Sequence, residues 1–286
     1  MGGRSAVARY YDASTWRFLL AGPGHKARTI HRELWGPGVE SRSEAVEHVH
    51  DLLAREIERL GPGDAFRLVD LGCGVGGTVF GMAERWPRAV LHGVTISTRQ
   101  VGRARALADS LGLASRCTFA RADFQDDELG RDFDVGVAIE SFVHSDTPER
   151  FFRAAARSLR PGGLLVVVDD FLSEPLEKLD ARRRRRVRDF QDGWRVPSVC
   201  TPQASEAAAA AAGFALERAV DLSALVRLRR VRDRAIALVS PVLRAAGLVG
   251  IPLFGNMIAG DALRTGLEEG FLSYRMHVWK RSGHHG

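Results

Sequence analysis

Between residues 66 and 170 the chain alternates short apolar runs with amphipathic stretches. The runs at 66–71, 90–94, 117–120, 133–139 and 164–169 predict strands, and the stretches at 76–86, 98–111 and 147–160 predict helices. Thr147 followed by Pro148 suits a helix start. Strands separated by helices predict an α/β fold with a parallel sheet. Upstream, Val46, Val49, Leu53, Ile57 and Leu60 recur at helical spacing. Ser41–Glu44 reads as a capping box for that helix, and Gly61-Pro62-Gly63 stops it. After Asp170 the alternation ends. Residues 171–212 read as helical and charged, 213–222 as a strand, 224–246 as a long basic helix, 256–269 as a helix and 271–279 as a last strand. The expected organisation is a helical lid over residues 1–60 and a core over 61–286. Insertions at about 171–212 and 224–269 would extend the lid.

With 286 residues and 45% hydrophobic content, the chain can build one large domain or a domain with a substantial cap. Met1-Gly2-Gly3-Arg4 does not open a secretory signal, and no apolar run is long enough for a membrane span. Cys73, Cys117 and Cys200 fit neither a disulfide framework nor a zinc spacing, so a cytoplasmic location is expected. The net charge of +6 is concentrated: Arg182–Arg186 with Arg188, and five arginines between Arg227 and Arg234. The rest of the chain is slightly acidic, which argues against a general nucleic-acid binder. The cluster at 182–188 runs round every face of a helix, so most of it is expected in solvent.

The chemistry centres on Val69-Asp70-Leu71-Gly72-Cys73-Gly74-Val75-Gly76 at a strand-to-helix turn. Glycines there allow a tight turn and close backbone approach to a ligand. A carboxylate at the strand end would repel a pyrophosphate and suits an ammonium or hydroxyl group instead. The string resembles the first motif of class I S-adenosylmethionine (SAM)-dependent methyltransferases. The resemblance continues through Leu91–Ser97 with Gln100, Ala122-Asp123-Phe124, Phe133–Glu140 and Leu159-Arg160-Pro161-Gly162-Gly163. It implies a Rossmann-like, seven-stranded, mostly parallel sheet with helices on both faces, closed by an antiparallel strand, and SAM as cofactor.

The resemblance assigns Asp70, Gly72 and Gly74 to the methionine end of SAM and Asp123 and Phe124 to the adenine. Many members carry an acidic residue at the second strand end for the ribose; this chain has Thr95-Ile96-Ser97, with Gln100 able to supply an amide. That version looks like the branch of cyclopropane-fatty-acid synthases and sterol and tocopherol C-methyltransferases. Gln100 as an exposed helix residue, and Asp123 as a turn residue, are the plainer alternatives.

Ile139-Glu140-Ser141-Phe142-Val143-His144 stands at a strand end, where open α/β sheets bind ligands. It resembles the I-E-x-x-x-H segment of sterol-type C-methyltransferases. Glu140 and His144 can each accept a proton, although in some relatives this glutamate faces the cofactor. Arg9-Tyr10-Tyr11-Asp12 and Thr15-Trp16-Arg17-Phe18 resemble the lid of small-molecule C-methyltransferases, including those acting on isoprenoids. Tyr11, Trp16, Phe142 and Trp194 could stabilise a carbocation through their ring faces or simply pack the lid. Lys26, Arg28, His31 and Arg32 would meet a diphosphate, with Mg²⁺ needed beside it. No carboxylate–histidine set has metal spacing, and a metal site is unassigned.

The favoured activity is C-methylation of an isoprenoid-type specialised metabolite, with a prenyl diphosphate as one form of the acceptor. O-methylation of a polyketide or aromatic hydroxyl is the alternative. A nucleic-acid methyltransferase or binder using the arginine runs is the reading from another class. The expected partner is a small molecule, with no nucleic acid and no membrane, and the reading admits a homo-oligomer.

Overall fold

The computed structural model describes residues 31–228 and 251–283, with residues 236, 239, 240, 242–244 and 247 between them. Helix α1 (Arg42–Leu60) begins at the expected capping box, Ser41 and Glu44 each capping the other's backbone, and ends at left-handed Gly61. Five strands and three helices follow: β1 (Arg67–Leu71), α2 (Gly77–Arg85), β2 (Val90–Thr95), α3 (Thr98–Ser110), β3 (Cys117–Arg121), β4 (Phe133–Ile139), α4 (Pro148–Ser158) and β5 (Leu159–Leu172). The remainder comprises α5 (Ala181–Trp194), α6 (Pro202–Ala211), β6 (Phe214–Asp221), α7 (Pro252–Glu268) and β7 (Leu272–Arg281).

The seven strands form one sheet in the order β3-β2-β1-β4-β5-β7-β6. Strands β1 to β5 are parallel, and β7 lies antiparallel between β5 and β6. The apolar strands need cover on both faces. On one face Leu68, Val135, Val137, Val166 and Tyr274 pack under α1 to α3; on the other Val69, Val94, Leu165, Phe171 and Trp279 pack with Phe151, Phe152 and Ala208. Strand order reverses between β1 and β4, and such a reversal opens a crevice at the carboxyl ends.

A third cluster, including Val143, Val187, Phe190, Leu263 and Phe271, joins α5 and α7 beside that end. The two helices cross closely at Gly193, where a Cβ would collide with the Gly255 carbonyl. None of the α5 arginines is buried, and several of them also form ion pairs. Arg182 pairs with Glu269, and Arg186 reaches the buried Asp261 at 2.7 Å, tying α5 to α7. Arg182, Arg185 and Arg188 face solvent, while Arg183, Arg184 and Arg186 are half-buried.

The strands expected at 133–139 and 213–222 appear where the alternation put them, the second within one residue at each end. Strand β5 is longer than 164–169 because it already pairs with β4 at Leu159. Residues 31–41 are not helical: Leu34 bridges Val226, and the Trp35 N–H donates to the Leu225 carbonyl. The same pairing excludes helix at the start of 224–246, where Ser223–Leu225 forms a single 3₁₀ turn instead. Helix α7 begins at Pro252, four residues before the expected start. Residues 1–30 and most of 229–250 lie outside the described residues. No helix among the described residues is long and apolar enough to cross a membrane.

Candidate active site

Asp70 is the penultimate residue of β1, with its side chain on the face shared by Leu68. It is 2% exposed, and its Oδ2 has no hydrogen-bond partner among the described residues. Burial pushes its carboxyl up to about 7. A buried carboxylate oxygen without a donor is costly and is retained where a ligand supplies one. The turn beneath it is tight: Gly72 and Cys73 both donate to the Val94 carbonyl, at 3.0 and 2.9 Å. Gly72 has φ +104°, and a Cβ there would overlap the Ser141 side chain. Glycine is required twice over, by conformation and by space. Gly74 and Gly76 continue the loop with positive φ.

Thr95, Ser97 and Gln100 form one cluster at the start of α3. Ser97 Oγ accepts the Gln100 N–H, and Thr95 Oγ1 donates to Gln100 Oε1 at 2.6 Å. Gln100 is buried, which overturns the exposed-helix alternative. Asp123 behaves as a turn residue, its Oδ1 accepting the Gln125 N–H at 3.0 Å, and Phe124 stacks edge-on against Phe151.

Glu140 follows β4 in the left-handed region, φ 52°. A non-glycine residue is uncommon there and is kept where its surroundings fix it. Its Oε1 accepts from the Arg32 backbone N–H at 2.9 Å and from the Tyr274 hydroxyl at 3.0 Å, with Arg32 Nε 3.7 Å away. Arg32 is itself clamped by Asp170 through two bonds of 2.7 and 2.5 Å and lies 4.5 Å from the Tyr274 ring centroid. Burial pushes the Asp170 carboxyl up against the pull of Arg32, and burial with adjacent Asp170 pushes Asp169 well up. Asp169 points to the opposite face, accepting the Val143 N–H.

Two of the basic residues expected to meet a diphosphate are therefore committed elsewhere. Arg32 is neutralised by Asp170 and Glu140. His31 is buried against His50, and burial first, then His50, lowers it to about 4. Phe142, expected along the substrate, packs instead among Phe151, Phe152 and Phe171 on the far face. His144 lies in a 3₁₀ turn with Nδ1 3.4 Å from the Arg195 carbonyl, and burial lowers it to about 4. Trp194 packs edge-on against Phe190. Tyr11, Trp16 and Arg28 lie outside the described residues. No group of three or more metal-ligating side chains gathers among the described residues.

Tyr274, Asp170 and His50 were missed from the sequence. Two acids ending the apolar run at Asp169-Asp170 were a usable signal; Tyr274 and His50 carried none. Replacing Arg32 by Met should strand the buried Asp170 carboxylate and cost about 3–5 kcal/mol of stability. Urea denaturation checks this, and adding Asp170→Leu should restore most of the loss.

Residues 68–163 match a family described as a methyltransferase domain. The chain is 28% identical over 209 residues to cycloartenol-C-24-methyltransferase 1 of Oryza sativa subsp. japonica, covering 73% of this chain and 58% of the rice protein. It thus spans about half the length of the plant and fungal sterol methyltransferases with which it aligns. It is 34% identical over 202 residues to 27-O-demethylrifamycin SV methyltransferase of Amycolatopsis mediterranei, covering 69% of this chain and 71% of that protein. The fold also matches geranyl diphosphate C-methyltransferase from Streptomyces coelicolor A3(2), solved with Mg²⁺, geranyl diphosphate and S-adenosyl-L-homocysteine. That match has TM-score 0.67, 17% identity and 98% coverage of each chain.

Proposed function

Because the chain belongs to the class I SAM-dependent methyltransferases, we propose that it methylates a carbon of an apolar, isoprenoid-type alkene, with Glu140 taking the proton that the product must lose. The observation carrying this reading is Glu140 itself. It is fixed in a left-handed conformation at the carboxyl end of β4, with Oε1 held by two donors and Oε2 without a partner among the described residues.

The buried, unpartnered Oδ2 of Asp70 and the close turn at Gly72 fit the amino-acid end of SAM. Asp70, Gly72 and Gly74 would hold that end, Thr95, Ser97 and Gln100 the ribose, and Asp123 with Phe124 the adenine. When bound, SAM supplies a methyl group carried on a sulfonium. Methylation of an alkene carbon leaves its neighbour cationic. Transfer of the adjacent proton to a Glu140 oxygen returns the C–H electron pair to the carbon framework as a new double bond. Glu140 and Asp170 both pair with the single charge of Arg32, so this part of the crevice favours positive charge and disfavours phosphate. Helices α5 and α7, joined beside the carboxyl ends of the strands, would cover the acceptor.

An uncharged olefin is therefore the favoured acceptor. A prenyl diphosphate with Mg²⁺ would need cations beyond His31 and Arg32. Assays with labelled SAM on prenyl alcohols, their diphosphates and sterol-type olefins test this. Turnover of uncharged acceptors without Mg²⁺ is expected, whereas strict dependence on diphosphate and Mg²⁺ would overturn it. The similarity to a rifamycin O-methyltransferase favours a second reading, in which Glu140 or His144 deprotonates a hydroxyl. Label recovered on oxygen rather than carbon would select it.

A further inference from the structure

Two imidazoles lie beside the acidic crevice and take no part in the chemistry above. His50 on α1 is fully buried, and His31 nearly so. Their Nε2 atoms are 3.3 Å apart, with the rings edge-on at 5.0 Å. His50 Nδ1 lies 2.9 Å from Glu47 Oε2, and His31 Nδ1 lies 3.1 Å from the Arg32 carbonyl. Both outer neighbours accept and cannot donate, one as a carboxylate and one as a carbonyl. Each outer nitrogen must therefore carry a proton. The contact between the rings needs one more. Two neutral imidazoles hold only two protons, whereas this chain of hydrogen bonds uses three.

We infer that His31 and His50 share one positive charge, and that the charged pair is a positioning device for Glu140, an inference that rests on the reading of Glu140 as the base. The charge belongs on His50, which faces the carboxylate. Burial raises Glu47, but its hydrogen bond to His50, the charge of His50 and Arg85 hold it below the usual carboxylate range. His31 is the neutral member, donating from Nδ1 and accepting at Nε2, consistent with the downward push of burial on its ring.

The surroundings agree with a single buried cation. On α1 the pair faces Glu47; on α2 Arg85 sits 3.9 Å from Glu47 and is matched by Asp51. Gly81 of α2 lets the His50 ring lie against that helix, since a Cβ there would come within 2.8 Å of Nδ1. From β4 the charge of Glu140 favours a protonated His31. Arg32 is offset by Asp170. The link to Glu140 is a single residue long. His31 holds the carbonyl of Arg32, whose own N–H donates to Glu140. Loss of the shared proton leaves two acceptors facing each other and loosens that residue.

Nuclear magnetic resonance of ¹⁵N-histidine in the full chain, between about pH 5 and pH 9, reads the pair directly. At about pH 6 one ring should carry two protons and the other only Nδ1–H. The Arg32 amide resonance should follow the same midpoint. Glu47→Gln, at a partly exposed position, removes the carboxylate and should move both curves down by about one to two pH units. Two neutral rings at that pH, or curves that ignore Glu47→Gln, would overturn the shared charge. An Arg32 amide blind to the titration would overturn the link to Glu140. In Glu140→Gln the histidine titration should persist, so a failure of the base role and a failure of the charged pair are separately readable.

Discussion

Glu140→Gln is expected to lower kcat by about 10²–10⁴, the usual contribution of a positioned general base. The substitution keeps shape and most of the network. The glutamine carbonyl can still accept from the Arg32 N–H and the Tyr274 hydroxyl, so the fold and the left-handed backbone should survive. What disappears is basicity. Affinity for S-adenosylhomocysteine should change far less than kcat, and both belong in the same preparation. A fall in affinity as large as the fall in rate would move Glu140 to the cofactor. An active variant with normal affinity would exclude the base role and turn attention to His144 or Tyr274.

The sheet was legible because its strands are short apolar runs set between amphipathic stretches, and β4 was read to the residue. The glycine loop was legible because Gly72 has neither the conformation nor the room for another residue. What escaped was long-range. Arg32 looks like a cation for a ligand until the fold brings it to Asp170, 138 residues away. Phe142 looks like a site aromatic because it neighbours Glu140, yet a 3₁₀ turn sends it to the opposite face. Periodicity also failed at 224–228, where a bridge to Leu34 overrides helical spacing. The basic character of α5 hid its pairing with Glu269 and Asp261, because sequence shows charge but not the helix that will meet it.

Asp70→Asn should exchange ligand binding for stability. The fold holds the Asp70 proton up to about 7, against an ordinary value of 3.8, because the charged form is buried without a donor. The folded state therefore binds this proton more tightly than the unfolded chain does. Its stabilising effect is intact below about 4 and is lost as pH rises toward about 7. Above that window the ligand-free protein carries a penalty of up to about 4 kcal/mol, an upper bound given relaxation and water entry. Asparagine has no charge to desolvate, so the variant should resist urea better at about pH 8 and little differently at about pH 4. It should also lose the charge-assisted contact to an ammonium, worth about 1.5–3 kcal/mol, or roughly ten- to a hundredfold in Kd. Calorimetric titration of S-adenosylhomocysteine into wild type and Asp70→Asn at about pH 6 and pH 8 tests the site most directly. The wild type should bind more tightly at the higher pH as Asp70 ionises, and the variant should bind weakly at both. A folded Asp70→Asn protein that binds as tightly as wild type would contradict the assignment of this crevice to the cofactor.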